Sequence, residues 1–236
     1  MLACTRRARQ PNGKHDVNPN SAQAPAQTPA PARPGDGKER ILLAALQEFA
    51  AHGYDGASTT AIARRCGVTQ PLIHYHFGSK EGLWRATVND AFLRLRDEFF
   101  TTLQRHPPTR DNPRGTLLAL VREFVHFCGR YPHFPRLLYA ELPTASPRAD
   151  WLMNSWVHPV VARITALHGD VARATGMKEL PLGHIMAALT GAAATFFVLG
   201  NFMQAAYGLD PASDATIEAH ADALVSILES GLFGRP

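Results

Sequence analysis

The chain has 236 residues, 45% of them hydrophobic and 19% charged, with a net charge of +4. That balance excludes a disordered polyampholyte and allows a substantial core in one or two domains. The charge excess sits in residues 1–35, where Arg6, Arg7, Arg9, Lys14 and Arg33 face Asp16 alone, so the basic pI says nothing about any surface further along.

Residues 1–35 are rich in Pro, Ala and Gln and offer little to bury, which predicts an inert, disordered tail. They contain no apolar run of signal-peptide type. The Arg6–Arg9 cluster is the part able to reach the phosphates of a polyanion. A first helix begins near Asp36, which with Glu39 resembles a capping box. Leu42, Ala45, Leu46 and Phe49 repeat at helical spacing and mark one apolar face. His52-Gly53 ends it.

The stretch Ser58–Leu83 carries the most information. Thr59–Cys66 reads as a short helix with Ile62 and Ala63 inward. Gly67 supplies a left-handed position that ends a helix without strain, and Val68 plugs the turn. Thr69 is a natural N-cap for a second helix, whose first turn tolerates Pro71. Helix, Gly-containing turn and short polar helix together form a helix-turn-helix, whose second helix lies in the DNA major groove. That second helix carries Gln70, His74, Tyr75 and His76, which suit base edges and phosphates, while Leu72, Ile73 and Phe77 are expected to face inward. Ser79 caps the next helix. Lys80 at its first position opposes the helix dipole, a placement that makes sense if a phosphate occupies that helix start.

Residues 38–84 resemble the N-terminal domain of the TetR family of transcriptional regulators. The likeness rests on an amphipathic first helix ending F-x-x-x-G-Y, then T-T-x-x-I-A-x-x-x-G-V-T and H-F-x-S-K-E-x-L, in that order. The resemblance implies that Thr59 and Thr60 meet phosphates at the start of the second helix. It puts Thr69, Gln70, Pro71, His74, Tyr75 and His76 on the recognition helix and gives Lys80 a backbone phosphate. The family commonly has Tyr where this chain has His74, so base preference does not transfer from a relative.

A fourth helix runs from Lys80 to about Arg105, with Trp84, Val88, Phe92, Leu95 and Phe99 as its inner stripe. It links the reading unit to the remainder. Further helices are expected over 116–129, 132–142 and 149–175, the last kinked at Pro159. The stretch Leu180–Leu209 has no charged residue when His184 is neutral, and residues 212–232 place Ile217, Leu224, Ile227, Leu228 and Leu232 on one face. A helix apolar all round is buried between its own domain and a partner. The helices 180–208 and 212–232 are therefore expected to build a four-helix bundle in a homodimer, as the resemblance also implies; no membrane span is expected.

The fold expected is all-α with about nine helices. It divides into the tail (1–35), a three-helix helix-turn-helix domain (36–83) and a larger helical ligand-binding and dimerisation domain (84–236). By resemblance the last holds a small-molecule pocket, for which Phe127, His133, Tyr139, Trp151, Trp156 and Phe196 are candidates. An apolar or aromatic effector would suit them. Cys4, Cys66 and Cys128 form no disulfide framework and fit a reducing cytoplasm. No Gly-rich phosphate loop, G-x-S-x-G or H-E-x-x-H is present, which argues against an enzyme; no cofactor or metal is expected. The reading is a cytoplasmic repressor that binds double-stranded DNA at a palindromic operator and is released by its effector.

Overall fold

The computed structural model describes residues 36–109, 112–175 and 181–233; the tail 1–35 lies outside them. Among the described residues every regular element is helical, as expected. The elements are α1 (Asp36–Gly56), α2 (Thr59–Cys66), α3 (Gln70–Phe77), α4 (Lys80–Arg105), α5 (Pro113–Arg130), α6 (His133–Glu141), α7 (Pro147–Leu152), α8 (His158–Thr175), α9 (Leu182–Val198), α10 (Gly200–Tyr207) and α11 (Asp214–Phe233). A π-helical turn, Met153–Val157, joins α7 to α8 into one irregular helix, so among the described residues the helices number ten against about nine expected.

α1 is interrupted where the sequence suggests. Gly53 has φ 67° and ψ 179°, so the helical path breaks there and a separate turn carries Tyr54 and Asp55. Glu39, read as part of a capping box at the start of α1, also bridges to α4. Its carboxylate takes a bond from Arg94 at 2.8 Å, and Arg94 also holds Asp90 at 2.9 Å, tying α1 to α4.

The kink expected at Pro159 takes the form of the π-helical turn just before it. His158 N–H reaches five residues back to Met153 O, and Pro159 has no N–H with which to continue the regular ladder.

One apolar core runs from the reading unit into the body. Ile41, Leu42, Ala45, Leu46 and Phe49 of α1 meet Ile62, Ile73 and the α4 stripe Trp84, Val88, Phe92 and Leu95. Phe127, Phe134, Leu137 and Leu152 complete it. Its aromatics interlock, with Phe92 stacked on Trp156 at 5.0 Å and edge-on to Phe134 at 5.1 Å. The boundary drawn at 83/84 therefore falls inside α4 and crosses shared core. α4 has 26 residues, which at 1.5 Å each makes a strut of about 39 Å.

A second cluster joins α5, α9 and α11 through Val125, Cys128, Ala193, Ala194, Phe197, Ile217, Ala221 and Leu224. Gly129 is needed there, since a Cβ on it would lie 2.7 Å from Ile217 Cδ1. Arg122 closes the seam from outside with Glu218 and Asp222.

Two expectations for the C-terminal part are corrected. The single helix 180–208 is broken at Leu199 (φ −91°, ψ 24°), and α9 and α10 meet at a bend of 74°. Gly200 allows the close turn, because a Cβ on it would sit 2.9 Å from Pro211 Cγ. Ile227 does not join Ile217, Leu224 and Leu232 inside but is 68% exposed. Among the described residues no single helix is long and apolar enough to cross a membrane.

Candidate nucleic-acid interface

The α2–turn–α3 unit is set by local chemistry. Ser58 caps α2, its hydroxyl accepting from Ala61 N at 3.3 Å. Gly67 is left-handed at φ 67°, and Val68 N–H reaches back to Ala63 O at 3.0 Å, the double closure of a Schellman ending. Ile62, Ala63 and Ile73 are buried beneath the unit and fix the crossing of its two helices. Thr69 holds the N-cap position of α3 without a side-chain bond, and Pro71 lies in its first turn.

The predicted DNA-facing residues lie on α2, on α3 with its N-cap, and at the first position of α4. His74, Tyr75 and His76 are all exposed on α3, Tyr75 by 81%. Leu72 departs from expectation: it is 38% exposed. A helix of eight residues buries a narrow stripe, and Ile73 with the partly buried Phe77 fills it.

Three of the predicted residues contact one another. Thr60 donates to the Gln70 carboxamide oxygen at 3.1 Å, and Gln70 Nε2 donates to Thr59 Oγ1 at 3.2 Å. The Gln70 side chain is thereby oriented across the α2–α3 corner, with one N–H and one lone pair still to offer. Lys80 is not idle either. Its Nζ donates to Asp55 O at 3.1 Å and lies 4.9 Å from the centre of the Tyr54 ring. An ammonium has three donors, so phosphate contact remains open to it.

Two supporting residues escape a reading of the sequence. Glu48 is 4% exposed; its carboxylate accepts from Ser58 N at 3.2 Å and pairs with Arg65 at 3.7 Å. A buried acid within the apolar face of α1 is the signal that could have found it. Gly82 lets α4 start directly under α3, because a Cβ there would come 2.1 Å from Phe77 O.

Of the six residues offered for a ligand pocket, Phe127 lines a small void. Phe127 is fully buried against Phe134 and Tyr131. The small void beside it, about 10 Å³, belongs to the α1–α4–α5 seam and would hold roughly one water. Trp151 packs edge-on to Trp84, and Trp156 stacks on Phe92. Tyr139 reaches Thr195 Oγ1 at 3.4 Å, and Phe196 stacks on His220 at 4.3 Å. His133 is half-buried, and desolvation, with Arg136 and Arg65, lowers its pKa. Cys128 sits deep in the second cluster, where burial pushes its thiol up to about 12. Its neighbour in sequence, His126, instead meets Glu218 at 2.9 Å.

Residues 41–87 match the family described as "Bacterial regulatory proteins, tetR family". The chain is 30% identical over 84 residues to the HTH-type transcriptional regulator BetI of Burkholderia ambifaria, covering 36% of this chain and 42% of that one. It is 39% identical over 70 residues to the regulatory protein RaaS of Mycobacterium tuberculosis, covering 30% and 32%. The chain thus matches less than half the length of these curated relatives. Solved structures of similar fold include the fatty acid degradation regulator FadR from Bacillus halodurans, with a TM-score of 0.59 at 19% identity over 79% of this chain and 97% of that one. HlyIIR, a hemolysin II transcriptional regulator, aligns with a TM-score of 0.56 at 19% identity over 80% and 97%. The family and the relatives are transcriptional regulators rather than enzymes. Over residues 41–87 this chain has the N-terminal domain of the TetR family.

Proposed function

We propose that the chain is a ligand-responsive, sequence-specific DNA-binding repressor that acts in the cytoplasm as a homodimer on a palindromic operator. The observation that carries this reading is the exposed face of α3. It presents Gln70, His74, Tyr75 and His76 from a helix anchored by Ile73 and held in register by the Thr59–Gln70–Thr60 contacts. Such side chains read base edges in the major groove, while Lys80 and the start of α2 address phosphates.

Dimer formation is supported by the outer faces of α9 and α11. Ala187, Ala188 and Ala192 on α9 and Ala215, Ala219 and Ala223 on α11 are exposed, with Ile227 beside them. Small residues at helical spacing allow close helix packing, and an apolar face of this kind suits a partner copy. A two-fold dimer would set its two recognition helices about 34–36 Å apart, one turn of DNA.

The effector is a small apolar or aromatic molecule held in the helical body. A ligand that prefers a different spacing of the two reading units weakens DNA binding by its differential affinity, typically about 1–3 kcal/mol of coupling. α4 is the transmitter, since its near end abuts α3 and its far half lies in the body. Repression needs only occlusion of a promoter, without a separate polymerase-contacting surface.

The test is Tyr75→Ala. At 81% exposure the ring contributes little to folding, so the variant should melt like the unaltered chain and lose competitor-resistant binding to its selected duplex. Undiminished binding of Tyr75→Ala to that duplex would refute the assignment of α3.

A further inference from the structure

α7 reaches the reading unit from outside it. The Arg148 guanidinium carbon lies 3.7 Å from the centroid of the Tyr54 ring, well inside the roughly 6 Å over which an aromatic face attracts a cation. Arg148 is held from behind. Its Nε is 3.3 Å from the Glu141 carboxylate, with the two side chains 20% and 6% exposed. The Ser146 hydroxyl holds that carboxylate at 2.7 Å. The Arg148 Nε–H is poorly aligned for a hydrogen bond, so the attraction to Glu141 is chiefly Coulombic.

Tyr54 passes the contact on. Phe49 stacks against its ring at 6.1 Å and Trp84 meets it edge-on at 6.4 Å. Lys80 lies 4.9 Å from the same ring and bonds the carbonyl of Asp55, the next residue in the chain. Because Gly53 has already turned this segment out of the α1 path, packing around the ring must set its direction.

We propose that Arg148 is a positioning residue for the recognition unit. Through Tyr54 it holds the Asp55 carbonyl and Lys80 in place at the start of α4, and so sets the affinity of the unit for DNA. This rests on the DNA-binding reading above.

The test compares Arg148→Met, which keeps length and loses charge, with Arg148→Lys, which keeps a cation. Amide hydrogen exchange over residues 53–57 and 78–82 is measured without DNA. Affinity is measured at fixed salt for the duplex that the unaltered chain selects from a random-sequence library. Arg148→Met should speed exchange in both segments and weaken binding about three- to tenfold, the size of one cation–π contact. Arg148→Lys should restore most of both, and Tyr54→Phe should behave as unaltered where Tyr54→Leu copies Arg148→Met. In a Lys80→Ala background Arg148→Met should add little further loss. Unchanged exchange at 78–82, or an equal loss in the Lys80→Ala background, would overturn the proposal. Failure of the DNA reading shows separately, as an unaltered chain that selects no duplex, while the exchange comparison still decides Arg148.

Discussion

Trp156 donates its indole N–H to the Asn89 carboxamide oxygen at 2.8 Å, which pins the π-helical turn between α7 and α8 to the middle of α4. Sixty-seven residues separate the partners, so the bond is a tertiary clasp between the irregular helix and the strut that leads to the reading unit. Asn89→Leu leaves the half-buried indole donor without its partner while filling similar space. An unpaired donor costs about 1–3 kcal/mol, more than the bond's net worth of roughly 1. The urea midpoint of Asn89→Leu should therefore fall with its slope unchanged. An unshifted midpoint would mean that water replaces Asn89 without loss.

Gly82 offers a sharper case, because two effects oppose each other there. Alanine in a helix is favoured over glycine by about 1 kcal/mol. Here its Cβ would come 2.1 Å from Phe77 O, a backbone atom that cannot turn aside. The clash wins, since relieving it must move the α3–α4 corner, at a typical overpacking cost of about 1–3 kcal/mol. Gly82→Ala should lower the melting temperature and weaken DNA binding together. An unchanged or higher melting temperature would show that the corner yields freely.

Two histidines give stability a pH dependence of definite sign. Burial lowers the pKa of His133 and His220 below the ordinary histidine value, near 6.5. Below that value the unfolded chain binds more protons than the folded one, so stability rises with pH through this range. Their contribution is complete above about pH 6.5 and is lost as the pH drops toward their folded values. The melting temperature should thus fall between pH 7.5 and 5, and His220→Gln should flatten the slope. His220 faces Phe196, Phe197 and the Ala192 carbonyl, which holds Nε2 at 3.0 Å, so a glutamine amide can keep that bond. A variant with the same slope would remove His220 from the account.

The ends of α2, α3 and α4 were legible because capping is chemistry between near neighbours. Gly67 and Ser79 act within a few residues of themselves, and so a sequence shows them. The break at Leu199 was not, since an uncharged run has no polar stripe to show where its direction changes; the cause, Gly200 against Pro211, lies across a loop. Leu72 and Ile227 misled for a related reason. Hydrophobicity tells which residues gain from burial, and only the packed neighbours decide which find room. On α3 the exposed set was readable as a pattern. Its supports were less so: Glu48 lies ten residues before Ser58, beyond the reach of a local cap, and Arg148 meets Tyr54 from far along the chain.

Ile227 separates folding from assembly. At 68% exposure on α11, it makes little contact within one chain, and a charged replacement at such a site usually changes fold stability by less than about 0.5 kcal/mol. In the proposed dimer the same side chain lies on the face between copies, where an aspartate would bury a carboxylate against its symmetry mate. Ile227→Asp should leave helicity and the melting point of the dilute protein unchanged while shifting sedimentation from dimer to monomer. Specific DNA affinity should fall with the dimer, because one half-site contact no longer brings the second with it. A variant that sediments as a dimer and binds DNA normally would move the interface off this face of α11.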